Sequence, residues 1–289
     1  MTRVRHSVRF RAADGVHLHA LSWAPGVEVD DLPPTILLHG GGANSHWWDH
    51  LAPSLATDGP LFALDFRGHG DSEYPEERRV GAFNDDLEAL VKHLGRDDVH
   101  LVGHSLGAAV ALDHASRHPR TRSAVLVDLA RGSDKGTGRR ARLALALRRN
   151  YASHDEAVER FRFLPESSHP DEALRRSIAE HSVREEPDGR HGYKFDGAWF
   201  SLPPKPRPDP ASVTCPVLLV RGAESHLLSV EAAEAFVAEL PEGRFVEIPE
   251  AGHHVLIDQP ESLIEAIHAF RSDASSDANP FGEPGPNGD

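Results

Sequence analysis

The stretch VHLVGHSLGAAVAL, Val99 to Leu112, decides how the rest of the chain is read. Its first residues make a short β-rich run, and its alanine-rich end suits a helix. Between them stands Gly103-His104-Ser105-Leu106-Gly107, the pattern G-x-S-x-G. Small residues on either side let a strand turn sharply into a helix, which pushes the Ser105 hydroxyl into a strained, exposed position where a base can reach it. The helix N-terminus behind that hydroxyl favours developing negative charge. A plain glycine-rich βα turn would use the same glycines, so the flanking strand and helix carry the reading rather than five letters alone.

Working outward, TILLHG, LFALDFRG, SAVLVDLA and PVLLVRG repeat the short apolar run, and FNDDLEALVKHL and AAVALDHASRH have helical period. Such alternation predicts buried parallel strands with helices on the faces. Upstream, SVRFRA and VHLHALSW flank Asp14-Gly15, a strong hairpin signal. RFVEIPEAGHH supplies an eighth strand and ESLIEAIHAFR a closing amphipathic helix. The expected fold is α/β, a mostly parallel eight-stranded sheet with flanking helices, built from residues 1–130 and 211–271. Alternation breaks over residues 131–210, where RRARLALALRR, DEAVERFRFL and DEALRRSIAEHS predict a helical cap that returns through LPPKPRPDP. Residues 272–289 have the composition of a disordered tail.

Several classes of function are disfavoured. A formal net charge of −14 repels nucleic acid and anionic lipid, so neither is an expected partner. The start MTRVRHSVRF lacks the apolar core of a signal peptide, and no apolar run approaches the ~18 residues of a membrane helix. A soluble, cytoplasmic protein with a small-molecule substrate is expected. The single cysteine, Cys215, heads a strand-like run beside Pro216, where core packing suits it better than catalysis. Histidine is abundant at 20 residues, yet the pairs His17 with His19 and His253 with His254 lack a third ligand at metal spacing. Neither a metal nor an organic cofactor is expected.

Three further segments surround GHSLG. His39-Gly40-Gly41-Gly42 directly follows TILL, and its consecutive glycines let backbone N–H groups approach a substrate oxygen without obstruction. LDFRGHGDS, Leu64 to Ser72, follows the fourth strand, and AGHHVLIDQPE follows the last. With GHSLG, these segments resemble the motifs of the α/β-hydrolase superfamily, over about Ser7 to Arg271. The resemblance implies Ser105 as nucleophile, His253 as general base, and the N–H groups of Gly41 and Leu106 as oxyanion donors. His254 takes a position that packs or touches substrate, and Arg67 and Asp71 take structural ones.

The acid is displaced. Most of the superfamily has Asp three residues after the Gly that ends the seventh strand; counting from Gly222, that position is Ser225. Two carboxylates remain. Glu224 is one residue early and reaches only from a reshaped loop. Asp128 ends the sixth strand, and the C-terminal ends of neighbouring parallel strands open onto one crevice. A minority branch of the superfamily places its acid there, often with Ser at the strand-seven position, which makes Asp128 the preferred candidate. Its alternative role is to cap a strand end.

The resemblance implies acyl transfer to water, with a carboxylic ester, lactone or thioester as substrate; Ser rather than Asp at the nucleophile position disfavours epoxide hydrolase and dehalogenase chemistry. Carbon–carbon bond hydrolases, lyases and ligand receptors on the same fold are the alternatives. Trp47, Trp48, Phe161, Phe163, Phe195 and Trp199 are candidates for an apolar pocket or for core. Arg131, Arg139, Arg140, Arg142, Arg148 and Arg149 either draw an acidic substrate or form a solvated helix face.

Overall fold

A computed structural model of the chain describes residues 5–23, 32–131, 135–147, 149–165 and 170–277. Strands β1 (Arg5–Arg11) and β2 (His17–Trp23) pair antiparallel around the Asp14-Gly15 turn, where Gly15 takes φ +89°. Then come β3 (Thr35–Leu38), β4 (Leu61–Asp65), β5 (His100–His104) and β6 (Ser123–Val127). Three short strands, β7 (Asn150–Tyr151), β8 (Val183–Glu185) and β9 (His191–Tyr193), form a separate sheet, and β10 (Val217–Gly222) and β11 (Gly243–Ile248) complete the main one. The eight-stranded sheet has the order β1-β2-β4-β3-β5-β6-β10-β11; β2 runs antiparallel to its neighbours, and every pairing from β4 to β11 is parallel.

Nine helices accompany these strands among the described residues: α1 (Ala52–Leu55), α2 (Ala82–Leu94), α3 (Leu106–Arg117), α4 (Lys135–Ala146), α5 (His154–Arg160), α6 (Glu172–Ser182), α7 (Val230–Ala238), α8 (Val255–Asp258) and α9 (Pro260–Asp277). Successive strand side chains point to opposite faces, and here both faces are covered. Leu37, Val102, Val125 and Leu218 pack on one side with Leu256, Leu263 and Ile267; Ile36, Leu101, Leu126 and Leu219 pack on the other with Leu87, Val110 and Phe236. Continuous apolar runs therefore read as buried parallel strands. Cys215 packs in the second cluster, where burial pushes its thiol up to about 11.

Two stretches differ from the sequence expectation. The 131–210 segment holds α4, α5 and α6 but also the sheet β7-β9-β8, whose strands of two or three residues are too short to leave an alternating pattern. The closing helix, expected to end at Arg271, runs to Asp277, so the tail expected to be disordered from Ser272 begins as helix. Extending an existing helix adds one hydrogen bond per residue fixed and avoids the cost of nucleation, and Asp273 is held by Arg244 at 2.7 Å. Residues 278–289 lie outside the described residues.

One buried carboxylate ties the active face together on its β4 side. Asp65, at the end of β4, meets His19 Nδ1 at 2.7 Å and accepts from Ser45 N at 2.6 Å and Asp71 N at 3.0 Å. A Cβ on Gly70 would lie 2.2 Å from that carboxylate, which explains the second glycine of LDFRGHGDS. Arg67 in the same motif is held by Asp86 at 2.7 Å and Asp14 at 2.6 Å, and Asp71 by Lys194 at 2.7 Å, so both serve structure. Burial alone would raise the Asp65 pKa, but the hydrogen bond and charge of His19, with further donors, bring it from 3.8 down to about 2. This stabilisation, about 2 kcal/mol, is complete above the unfolded carboxyl pKa and disappears as pH falls through the folded one. Urea unfolding at about pH 6 and about pH 3 should therefore show a larger stability loss for the wild type than for Asp65→Asn. Equal losses would remove Asp65 from the acid response.

Candidate active site

Ser105 sits between β5 and α3 with φ 52° and ψ −105°, in a region that costs a non-glycine residue of order 1–3 kcal/mol. Packing enforces that turn. A Cβ on Gly103 would lie 2.3 Å from Gly107 O, and one on Gly107 would lie 2.2 Å from Leu38 O. Both glycines of G-x-S-x-G are thus required by the close approach of the turn to itself and to β3. Ser105 N donates to Val127 O at 2.9 Å, which holds the turn against the end of β6.

The next residue of that neighbouring strand is Asp128, also at positive φ (47°), with its N–H on Val220 O at 2.7 Å. Its fully buried carboxylate meets His253 Nδ1 at 2.7 Å and accepts from Ser225 Oγ at 2.7 Å and Gly222 N at 3.2 Å. A carboxylate can only accept, so Nδ1 of a neutral His253 carries the proton and Nε2 carries the basic lone pair. Ser225, at the position where Asp would be expected, is steadied by Arg221, which donates to Ser225 O at 3.2 Å and to Leu228 O at 2.7 Å. Glu224 is exposed, and no contact of its side chain with His253 is found among the described residues. Gly222 admits the histidine loop, since a Cβ there would meet Gly252 O at 2.1 Å.

Two neutral histidines frame this arrangement. Phe66 N donates to His39 Nε2 at 3.1 Å, so His39 Nδ1 bears the proton and donates to Gly40 O at 2.7 Å. Because the peptide is planar and trans, fixing Gly40 O on one side fixes Gly41 N–H on the other. Neither Gly41 N–H nor Leu106 N–H has a backbone acceptor among the described residues. His104, the second residue of the Ser105 motif, donates from Nε2 to His253 O at 2.9 Å. Burial pushes its pKa well below the ordinary histidine value, as it does for His254, and lowers that of His39. Sequence reasoning missed His104; its place inside G-x-S-x-G was the available signal.

A cavity of about 450 Å³ brings together Ser105, His253, Gly41 and Leu106. Of the aromatic candidates, Trp47 and Trp199 line it, Phe161 and Phe195 line a smaller neighbouring pocket, and Trp48 and Phe163 are core. Leu145 and Phe200 also line the main cavity and were not singled out in the sequence. Among the arginines, Arg142 reaches this cavity and Arg149 the smaller one; Arg139 and Arg140 are exposed, Arg131 stacks on Phe236, and Arg148 lies outside the described residues. Among the described residues, three clusters have ligand atoms close enough to share an ion: His104 with His253 and His254, His46 with Asp49 and His181, and Glu88 with His114 and His118. Each contains groups already bonded, as His253 is to Asp128, His46 to Asp49 at 2.9 Å and Glu88 to His118 at 2.8 Å.

This fold and elbow define an α/β hydrolase, and comparison agrees: the model of the Alpha/beta hydrolase family matches residues 35–266, and the chain belongs to that family. It is 32% identical over 248 residues to the 2-(acetamidomethylene)succinate hydrolase of Mesorhizobium japonicum, covering 82% of this chain and 87% of that one. It is 28% identical over 270 residues to the esterase Rv0045c of Mycobacterium tuberculosis, covering 86% and 85%. The crystal structure of E-2-(acetamidomethylene)succinate hydrolase superposes with a TM-score of 0.78 at 25% identity, covering 93% of this chain and 100% of that chain. The protein is an enzyme of the hydrolase class. No helix among the described residues is long and apolar enough to cross a membrane.

The contact on His253 Nδ1 separates the two candidate acids by experiment. Asp128→Asn should lower kcat by several orders of magnitude, about 10⁴-fold where the histidine is left in the wrong tautomer, while Glu224→Gln should change it little. Steady-state kinetics of the two variants, with circular dichroism to verify folding, provides the check, and the reverse pattern would return the acid to the β10 loop.

Proposed function

We propose that the protein is a serine hydrolase that cleaves a carboxylic ester, lactone or thioester of a small molecule through an acyl-enzyme. The observation that carries this reading is the 2.7 Å contact between Asp128 Oδ1 and His253 Nδ1, beside a strained Ser105 that lines the same cavity. In the proposed reaction His253 Nε2 takes the Ser105 proton as Oγ attacks the carbonyl carbon. The resulting imidazolium is stabilised by the Asp128 carboxylate. Gly41 and Leu106 N–H groups receive the negative charge that develops on the carbonyl oxygen, aided by the N-terminus of α3. His253 then returns the proton to the leaving alcohol or thiol, and a water activated by the same nitrogen releases the acid.

The choice of an ester-type substrate draws on the hydrolase and esterase names of the two relatives and on a Ser nucleophile with an intact set of donors. Fluorophosphonate labelling followed by hydrolysis of p-nitrophenyl esters of graded chain length tests it. Wild type should be labelled at Ser105 and turn over at least one ester, and Ser105→Ala should lose both, with kcat down about 10⁴-fold or more. Labelling without turnover of any acyl substrate would leave the nucleophile in place and move the reaction class toward carbon–carbon cleavage or elimination.

A further inference from the structure

Four cationic side chains line the cavity that holds Ser105, namely Arg79, Arg142, Lys205 and Arg207, in a chain of net charge −14. Among the described residues Asp113 is the one carboxylate in that lining. Two of the cations are already paired with carboxylates. Lys205 Nζ donates to Asp113 Oδ1 at 2.6 Å, and Arg79 pairs with Asp85 and, at 3.5 Å, with Asp14. The other two have only carbonyl partners: Arg142 Nη2 donates to Phe200 O at 2.8 Å and to Leu202 O, and Arg207 Nη2 donates to Ala130 O. Their Nε and Nη1 groups have no acceptor among the described residues.

The two tethers are informative. Arg142 reaches from α4 to the carbonyls of Phe200 and Leu202 at the end of the Gly197–Ser201 turn, and Arg207 reaches from the proline-rich return to the residue two positions past Asp128. Each guanidinium is thus held by one nitrogen while the rest of its planar fork remains available, the geometry suited to carboxylate or phosphate oxygens. The neighbouring wall is apolar, with Leu145, Trp199 and Phe200, while both guanidiniums are exposed at its rim.

We propose that Arg142 and Arg207 form an anion clamp at the exposed rim of the cavity, so that the substrate carries a carboxylate or phosphate in addition to its scissile carbonyl. The proposal rests on the acyl-hydrolase reading for the reaction, and the clamp itself is a binding site that can be tested without turnover.

Kinetics with mono-p-nitrophenyl adipate and p-nitrophenyl hexanoate, esters of equal acyl length that differ by a terminal carboxylate, measures the preference as a ratio of kcat/KM values. In the Arg142→Gln/Arg207→Gln double variant that ratio should fall about 10- to 100-fold, chiefly through KM, as expected for loss of charge-assisted hydrogen bonds. Arg142→Lys and Arg207→Lys, which keep charge but lose the fork, should retain part of the preference. In parallel, calorimetry on Ser105→Ala measures binding of adipate and of phenyl phosphate, and the tighter ligand distinguishes a carboxylate from a phosphate source. Binding of either that is abolished by the double substitution supports the clamp even if neither ester is hydrolysed, a result that would count against the hydrolase reading alone. An unchanged ratio in the double variant, or no binding of either anion, would overturn it.

Discussion

A carboxylate sealed from water must find donors inside the protein, and Asp128 draws three from two other parts of the chain: His253 Nδ1 after β11, and Ser225 Oγ and Gly222 N at the end of β10. Left unpaired, such a buried charge would cost several kcal/mol. The end of β6, the end of β10 and the loop after β11 therefore have to converge at one point. Gly222 makes the convergence possible by leaving room for the Gly252 carbonyl, and Arg221 fixes the loop that delivers Ser225. The geometry at the β10 side of the active face follows from this one anion, as the β4 side follows from Asp65 and its bonds to Ser45 N and Asp71 N.

Between the two anions lie rings kept neutral by burial. His39 and His104 spend their protons on the carbonyls of Gly40 and His253, so neither competes as a base. In the proposed reaction this division of labour matters, because a second imidazolium beside His253 would disfavour the charge that His253 acquires during attack. His254 packs against Trp47 with ring centroids 5.5 Å apart and against Phe163 at 5.8 Å, extending the neutral surface toward the cavity. The site thus places mobile charge at His253 and fixed counter-charge behind it.

How much of this was legible follows from the physics of each part. Strands buried on both faces leave continuous apolar runs, so the eight-stranded sheet was readable, and close backbone packing demands glycine, so GHSLG and HGGG stood out. The contact of Asp128 with Ser225 and His253 was reachable because parallel strands end on one face, which left Asp128 and Ser225 as neighbours across β6 and β10. The small sheet β7-β9-β8 was not readable, since strands so short carry no period, and the helical residues after Arg271 were hidden by a composition that favours disorder only where no helix precedes it. Phe200, Leu145 and Arg207 escaped because their role depends on how the segment after β6 folds back over the cavity, a tertiary relation with no local signature.

That last point divides the molecule by what sets each part. Around Asp128 and His253 the paired side chains are buried, and glycines at 103, 107 and 222 leave no room for side chains, so the geometry tolerates little variation. The segment between β6 and β10 meets the cavity instead through apolar side chains and through guanidiniums tethered to backbone carbonyls. Carbonyl tethers do not depend on the identity of the residue that supplies them, so such a rim can exchange its charges without disturbing the parts beneath it. The prolines at 203, 204, 206 and 208 restrict the return path around Arg207, which limits the backbone entropy that the proposed clamp would lose on binding an anion. A rigid core with an interchangeable, pre-ordered rim is a physical basis on which one hydrolytic arrangement can serve substrates of different charge.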